Sequence, residues 1–111
     1  MYILLDECVH ARVKAAFPGH VVQTVGEVGW RGTKDGPLLT LAQERFDIFV
    51  TIDRNLEYQQ DLAKYKLRFV IARVPSNEIR SYRPIFAALL DAAERVEPGE
   101  VRRVEHPLIR S

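Results

Sequence analysis

Two apolar stretches constrain this chain more than anything else in it. One is Ile3-Leu4-Leu5, followed by Asp6 and Glu7; the other is Ile48-Phe49-Val50-Thr51-Ile52, followed by Asp53. An unbroken apolar run of this length suits a strand covered on both faces, as in a parallel sheet between helical layers. In such sheets the ligand site lies past the carboxyl ends of the strands, where neighbouring connections leave in opposite directions. Two strands ending in acids therefore predict a carboxylate cluster in that cleft.

The rest of the chain alternates in the way such a sheet requires. Strands are predicted over residues 2–6, 20–25, 47–52, 67–72 and 101–104. Val9, Val13, Ala16 and Phe17 fall on one helical face, and Pro18-Gly19 ends that helix. Residues 26–36 form a loop carrying four glycines, with Trp30 and Arg31 near its middle. A helix is expected from Asp35, with Asp35 as its N-cap and Pro37 in its first turn. A short helix around 56–63 precedes the fourth strand. The strongest helical pattern covers 81–96, with Ile85, Phe86, Leu89, Leu90 and Ala93 on one face. Pro98-Gly99 ends it, and residues 106–111 read as a frayed tail.

Strand–helix alternation of this kind predicts an α/β fold: a three-layer α/β/α sandwich with a five-stranded, mainly parallel sheet and right-handed crossovers. A strand order of 2-1-3-4-5 would set the first and third strands side by side, bringing Asp6 next to Asp53.

The chain's 111 residues fit one domain over residues 1–105 plus the tail. At 47% hydrophobic and 28% charged, it has the composition of an ordinary globular protein. No apolar run reaches the roughly 18 residues of a membrane span, and no leader precedes the first strand. The single cysteine, Cys8, leaves no internal disulfide, and the expected location is cytoplasmic. Net charge is +1, but it is unevenly spread. The first 53 residues carry five basic and seven acidic side chains, the remainder eleven and eight.

Asp6, Glu7, Asp35 and Asp53 all stand at junctions on one expected sheet edge. Clustered carboxylates resist joint ionisation unless a cation compensates. Hard ions such as Mg²⁺ or Mn²⁺ do so, using one or two carboxylates, several waters and substrate phosphate oxygens. That donor set suits phosphodiester hydrolysis. Thr51 and Asn55 flank Asp53 and are placed to orient ligands or water. Trp30 and Tyr58 offer rings for base stacking, and Arg31, Lys34 and Arg54 offer phosphate contacts. Each also has a plain structural use: Asp6 and Asp53 as caps, Glu7 as a solvated first-turn acid, Asp35 in an Asp-Gly turn, Asn55 in a turn, Trp30 and Tyr58 in loop packing and the cations on a solvated rim.

Three segments together resemble a known family. Leu4-Leu5-Asp6-Glu7-Cys8, then Gly29-Trp30-Arg31-Gly32 with Asp35-Gly36-Pro37-Leu38-Leu39-Thr40-Leu41-Ala42, then Val50-Thr51-Ile52-Asp53-Arg54-Asn55-Leu56 resemble the small PIN-like domains related to VapC toxins. The resemblance spans residues 3 to about 104. It implies a Mg²⁺- or Mn²⁺-dependent ribonuclease, pairing with a small antitoxin protein, and dimers. Asp6 and Asp53 match the family's core acids, Asp35 the acid before its central helix, and Glu7 follows the pattern. Asn55 departs from it, because many relatives place an acid there.

Two other readings compete. A catalytically silent PIN-like module would bind RNA or a protein without cleaving. A receiver-like phosphoacceptor domain would need a hydroxyl after strand four and a lysine after strand five, where this chain has Ala72-Arg73 and Val101-Arg102-Arg103-Val104.

Overall fold

The computed structural model describes residues 1–109. Five strands form a single sheet: β1 (Tyr2–Leu5), β2 (Val21–Thr24), β3 (Ile48–Thr51), β4 (Arg68–Arg73) and β5 (Val101–Glu105). Their order is β2-β1-β3-β4-β5, and every pairing is parallel, so the sheet is wholly rather than mainly parallel. Leu4 stands opposite Phe49, and Phe49 opposite Phe69; one step on, Leu5, Val50 and Val70 form the next row.

Because side chains alternate along a strand, these two rows face opposite layers. Ile3, Leu5, Val50, Val70, Ala72 and Val104 pack on one face with Val13, Phe17, Tyr82, Ile85 and Leu89. Leu4, Phe49 and Phe69 pack on the other with Leu38, Leu39, Ala42, Leu56 and Leu62. The fold is thus an α/β/α sandwich, with helices on both sides of the sheet. Burying a side chain such as Leu4 or Phe49 completely contributes about 1.5–3 kcal/mol.

The first face is covered by a 3₁₀ segment, Ala11–Ala16, and by α3 (Ile79–Tyr82) and α4 (Phe86–Arg95). The second is covered by α1 (Asp35–Ala42), α2 (Leu56–Gln59) and a 3₁₀ turn, Leu62–Lys64. This distribution fixes the hands of the crossovers. From β1 to β2 the chain moves one way over the first face. From β2 to β3, and from β3 to β4, it moves the other way over the second, so these three share a hand. From β4 to β5 it continues in that direction but returns over the first face, which reverses the hand. The expectation of right-handed crossovers throughout therefore fails at one connection. Without α4, Ile48, Val50 and Val70 would have only the short 11–16 segment and its flanks as cover, and burying them outweighs the usual preference.

Local differences from the sequence pattern have local causes. The helix expected over 81–96 is broken into α3, a 3₁₀ turn (Arg83–Ile85) and α4. Pro84 lacks the N–H that a continuous helix would need there. The helix expected over 9–17 shortens to 3₁₀ geometry, entered at His10, whose Nδ1 accepts the Arg12 N–H at 3.1 Å. Residues 106–109 are not frayed: the His106 N–H donates to the Arg73 carbonyl at 2.8 Å and a turn follows. Residues 110–111 of the expected tail lie outside the described residues.

Candidate functional site

The adjacency of β1 and β3 brings the two strand-end acids into one neighbourhood. The Asp6 N–H still donates to the Val50 carbonyl at 2.9 Å, so the ladder reaches the first acid before the chain turns away. That sets Asp6 beside Thr51, which is fully buried. The Thr51 hydroxyl donates to Asp6 Oδ2 at 2.7 Å and accepts the Asp53 N–H at 3.0 Å. One hydroxyl therefore links the side chain of one acid to the backbone of the other. The 2.7 Å O–H···O distance is that of a well-formed hydrogen bond.

Cys8 joins the same oxygen, its thiol donating to Asp6 Oδ2 at 3.4 Å. Burial, then the charge of Asp6, pushes the Cys8 thiol up from its ordinary range. It is a protonated donor, not a nucleophile. The remaining Asp6 oxygen accepts the Glu7 N–H at 2.8 Å. Asp6 does not cap the following helical segment, where His10 has that place.

Asp53 shapes the turn after β3. Its Oδ1 accepts the Asn55 N–H at 2.9 Å, an Asx-type turn, and its carbonyl accepts the Leu56 N–H at 3.3 Å. Asn55 thus acts here through its backbone, and Asp53 Oδ2 makes no hydrogen bond within the described residues.

Asp35 is the first residue of α1 and not its N-cap; Lys34 takes that position without a side-chain bond. The expected capping role is absent because the helix starts one residue earlier than the Asp-Gly-Pro pattern suggests. A carboxylate in the first turn still faces the positive end of the helix dipole. Even so, burial, followed by the charges of Asp6 and then Asp53, holds the Asp35 carboxyl above its usual range. Three carboxylates from β1, β3 and α1 therefore share one electrostatic environment. None of them, nor Glu7, forms an ion pair among the described residues.

Glu7 is exposed, and its Oε1 accepts the Gly32 N–H at 3.3 Å, tying the glycine-rich loop to the end of β1. Gly32 has φ of 81°, a left-handed conformation costly for other residues. In the same loop the Arg31 guanidinium lies over Gly26, where a Cβ would come within 2.5 Å of it. Trp30 is partly buried and packs edge-on against Phe46 at 6.0 Å, with the Arg45 guanidinium 5.1 Å from its ring centre. Its ring is engaged in loop packing. Arg31, Lys34 and Arg54 are exposed and have no carboxylate partner among the described residues.

The donors are chemically suited to a hard divalent ion: three carboxylates, with the oxygens of Asp35 and Asp53 Oδ2 unclaimed by hydrogen bonds. Among the described residues, however, no three His, Cys, Asp or Glu side chains stand close enough together to form a metal cage. The two facts are compatible, because repulsion between carboxylates reaches further than coordination does. What fits is a largely hydrated ion held by one or two carboxylates, the usual habit of Mg²⁺. A closed all-protein site does not fit.

At the other end of the same sheet edge, sequence patterns had flagged little. Arg73 pairs with Glu105 at 3.0 Å, and Arg103 makes a two-pronged pair with Glu57. These partners lie 32 and 46 residues apart in the chain, beyond any local signal. No helix among the described residues is long and apolar enough to cross a membrane. No family model, curated protein or solved structure matches this chain.

Proposed function

We propose that the protein is a Mg²⁺- or Mn²⁺-dependent ribonuclease that hydrolyses RNA phosphodiester bonds, the toxin partner of a small antitoxin protein. The observation that carries this reading is the Thr51 hydroxyl that ties the Asp6 carboxylate to the Asp53 backbone at the junction of β1 and β3, with the Asp35 carboxyl nearby, raised by burial and then by the charges of both acids. Like charges gathered without neutralising partners cost stability, and a bound cation offsets that cost. The cation would supply positive charge to the phosphodiester and make an attacking water more acidic.

The chain's own residues have separable parts in this reading. Asp6 and Asp53 hold the ion, and Asp35 adds negative charge nearby. Thr51 orients the Asp6 carboxylate and fixes Asp53 through its backbone, while Glu7 anchors the glycine-rich loop beside them. Arg31, Lys34 and Arg54 meet the RNA backbone, whose contacts position the substrate without reading its sequence.

The alternative is a silent module that binds RNA or protein without cleaving it, and the missing acid at Asn55 favours it. The receiver reading is weaker, since the ends of β4 and β5 hold Arg73 paired to Glu105 where a hydroxyl and a lysine would be needed.

The test is cleavage of a labelled single-stranded RNA with Mn²⁺, comparing wild type with Asp53→Asn. Loss of cleavage in the variant, with the fold intact, is expected; equal cleavage contradicts the mechanism. Growth arrest on expression, relieved by a co-expressed partner, is expected of a toxin. A homodimer would be seen by sedimentation.

A further inference from the structure

The reversed hand of the β4-to-β5 crossover has a consequence on the second face. With α4 on the first face, that stretch of the sheet lacks a crossover helix of its own, and α2 is its nearest cover. A pocket of about 280 Å³ opens there, lined by Arg54, Asn55, Tyr58, Ile71, Arg73 and Arg103. It begins where the acid site ends, since Arg54 and Asn55 directly follow Asp53 and Asn55 closes the Asx turn on it.

Its walls combine two chemistries. Tyr58 is 81% exposed, well beyond Tyr2, the other exposed aromatic ring among the described residues, at 54%. The pocket's acid, Glu57, is spent on Arg103, and Arg73 is paired with Glu105. Arg54 has no carboxylate partner among the described residues. It also lines a second pocket of about 300 Å³ across the end of β4, which shares Arg73. A path therefore runs from Asp53 past one unneutralised guanidinium to an exposed ring.

We propose that this pocket is a nucleotide subsite: a base of single-stranded RNA stacks on Tyr58 while an adjoining phosphate is held by Arg54. The ligand's identity rests on the ribonuclease reading above. Base stacking on an aromatic ring tolerates any sequence and requires an unpaired strand, and a guanidinium contributes to phosphate binding in a salt-dependent way. The Glu57–Arg103 pair keeps Arg103 beside Tyr58 and stops that carboxylate from repelling the incoming strand.

The experiment measures binding of a fluorescein-labelled single-stranded RNA octamer by anisotropy, in EDTA so that no cleavage occurs. Tyr58→Ala is expected to weaken binding about 5- to 150-fold, and Tyr58→Phe, which keeps the ring, to stay within about twofold of wild type. Arg54→Ala is expected to reduce the dependence of log K on log salt by about 0.7. Unchanged affinity in Tyr58→Ala, or equal affinity for a duplex of the same length, would overturn the proposal. The metal-free assay separates the two claims. Tyr58-dependent binding alongside cleavage that survives Asp53→Asn would sink the ribonuclease mechanism alone; Asp53-dependent cleavage with Tyr58-independent binding would sink the subsite alone.

Discussion

The carboxyl edge of the sheet has two ends that treat charge in opposite ways. Past β4 and β5, Arg73 and Arg103 each have a carboxylate partner, and that end is close to neutral. Past β1 and β3, Asp6, Asp35 and Asp53 gather with no ion-pair partner among the described residues, and burial, then the charges of Asp6 and Asp53, raises the Asp35 carboxyl. The strands differ too: β1 and β3 are almost wholly buried, whereas only Val104 of β5 is. Folding alone favours neutralisation; the end that leaves its acids unpaired is where the proposed cation would bind. Local rules broken without compensation tend to mark function.

The largest expected effect strikes the acidic end. Asp53→Asn, or Asp6→Asn, is expected to lower Mn²⁺-dependent RNA cleavage by about 10³-fold, the rate equivalent of about 4 kcal/mol of lost charge stabilisation. Circular dichroism should show an unchanged fold. Survival of cleavage would make the two ends equivalent and remove the contrast.

Thr51→Val sharpens the comparison. It keeps the buried volume but removes the hydroxyl that serves both Asp6 and Asp53. Losing an orienting partner of this kind typically costs 10–100-fold in metal affinity, and about 10–100-fold is expected by calorimetric Mn²⁺ titration. Denaturant unfolding should show a loss of about 1–3 kcal/mol, from the polar groups left unpaired. Unaltered Mn²⁺ affinity would mean that Thr51 is only a packing residue.

Asp35 gives a pH signature. Its carboxyl titrates higher in the folded chain than in the unfolded one, so the folded state holds the proton longer. Its effect on stability is absent at low pH and becomes a loss as pH rises through the carboxylate range. Asp35→Asn should remove that decline, leaving the variant more stable near neutrality by no more than about 1 kcal/mol because the group is partly exposed. Added Mn²⁺ should erase the wild-type penalty. Melting curves across pH, with and without the ion, check both statements; a variant less stable than wild type at neutral pH would contradict them.

The smallest effect belongs to the neutral end. Glu105→Gln breaks the pair with Arg73, yet both side chains are about one-third exposed. A change of about 0.2–1 kcal/mol in stability is expected, with no change in Mn²⁺ binding.

How much of this was legible in the sequence follows from the range of each signal. Runs such as Ile48 to Ile52 mark buried strands by themselves, and their order with the intervening helices yielded the 2-1-3-4-5 sheet. The residues at the strand ends came with them. Amphipathic spacing over 81–96 revealed an apolar stripe, but spacing says nothing about which face of a sheet that stripe will cover. The reversed crossover and the pocket it leaves were therefore out of reach, although Tyr58 itself stood out as a ring that could stack on a base. Asp35 looked like a cap because Asp-Gly-Pro is common chemistry for starting a helix; the actual start is one residue away and frees the carboxylate. Trp30 carried two equally local meanings, and only the positions of Phe46 and Arg45 chose between them.

The most direct measurement is anomalous scattering from a crystal soaked in Mn²⁺. This account predicts a peak between the carboxylates of Asp6 and Asp53, absent in Asp53→Asn. No peak at saturating Mn²⁺, with Asp6 still held by Thr51 and Cys8 and Asp53 by the Asn55 N–H, would contradict it.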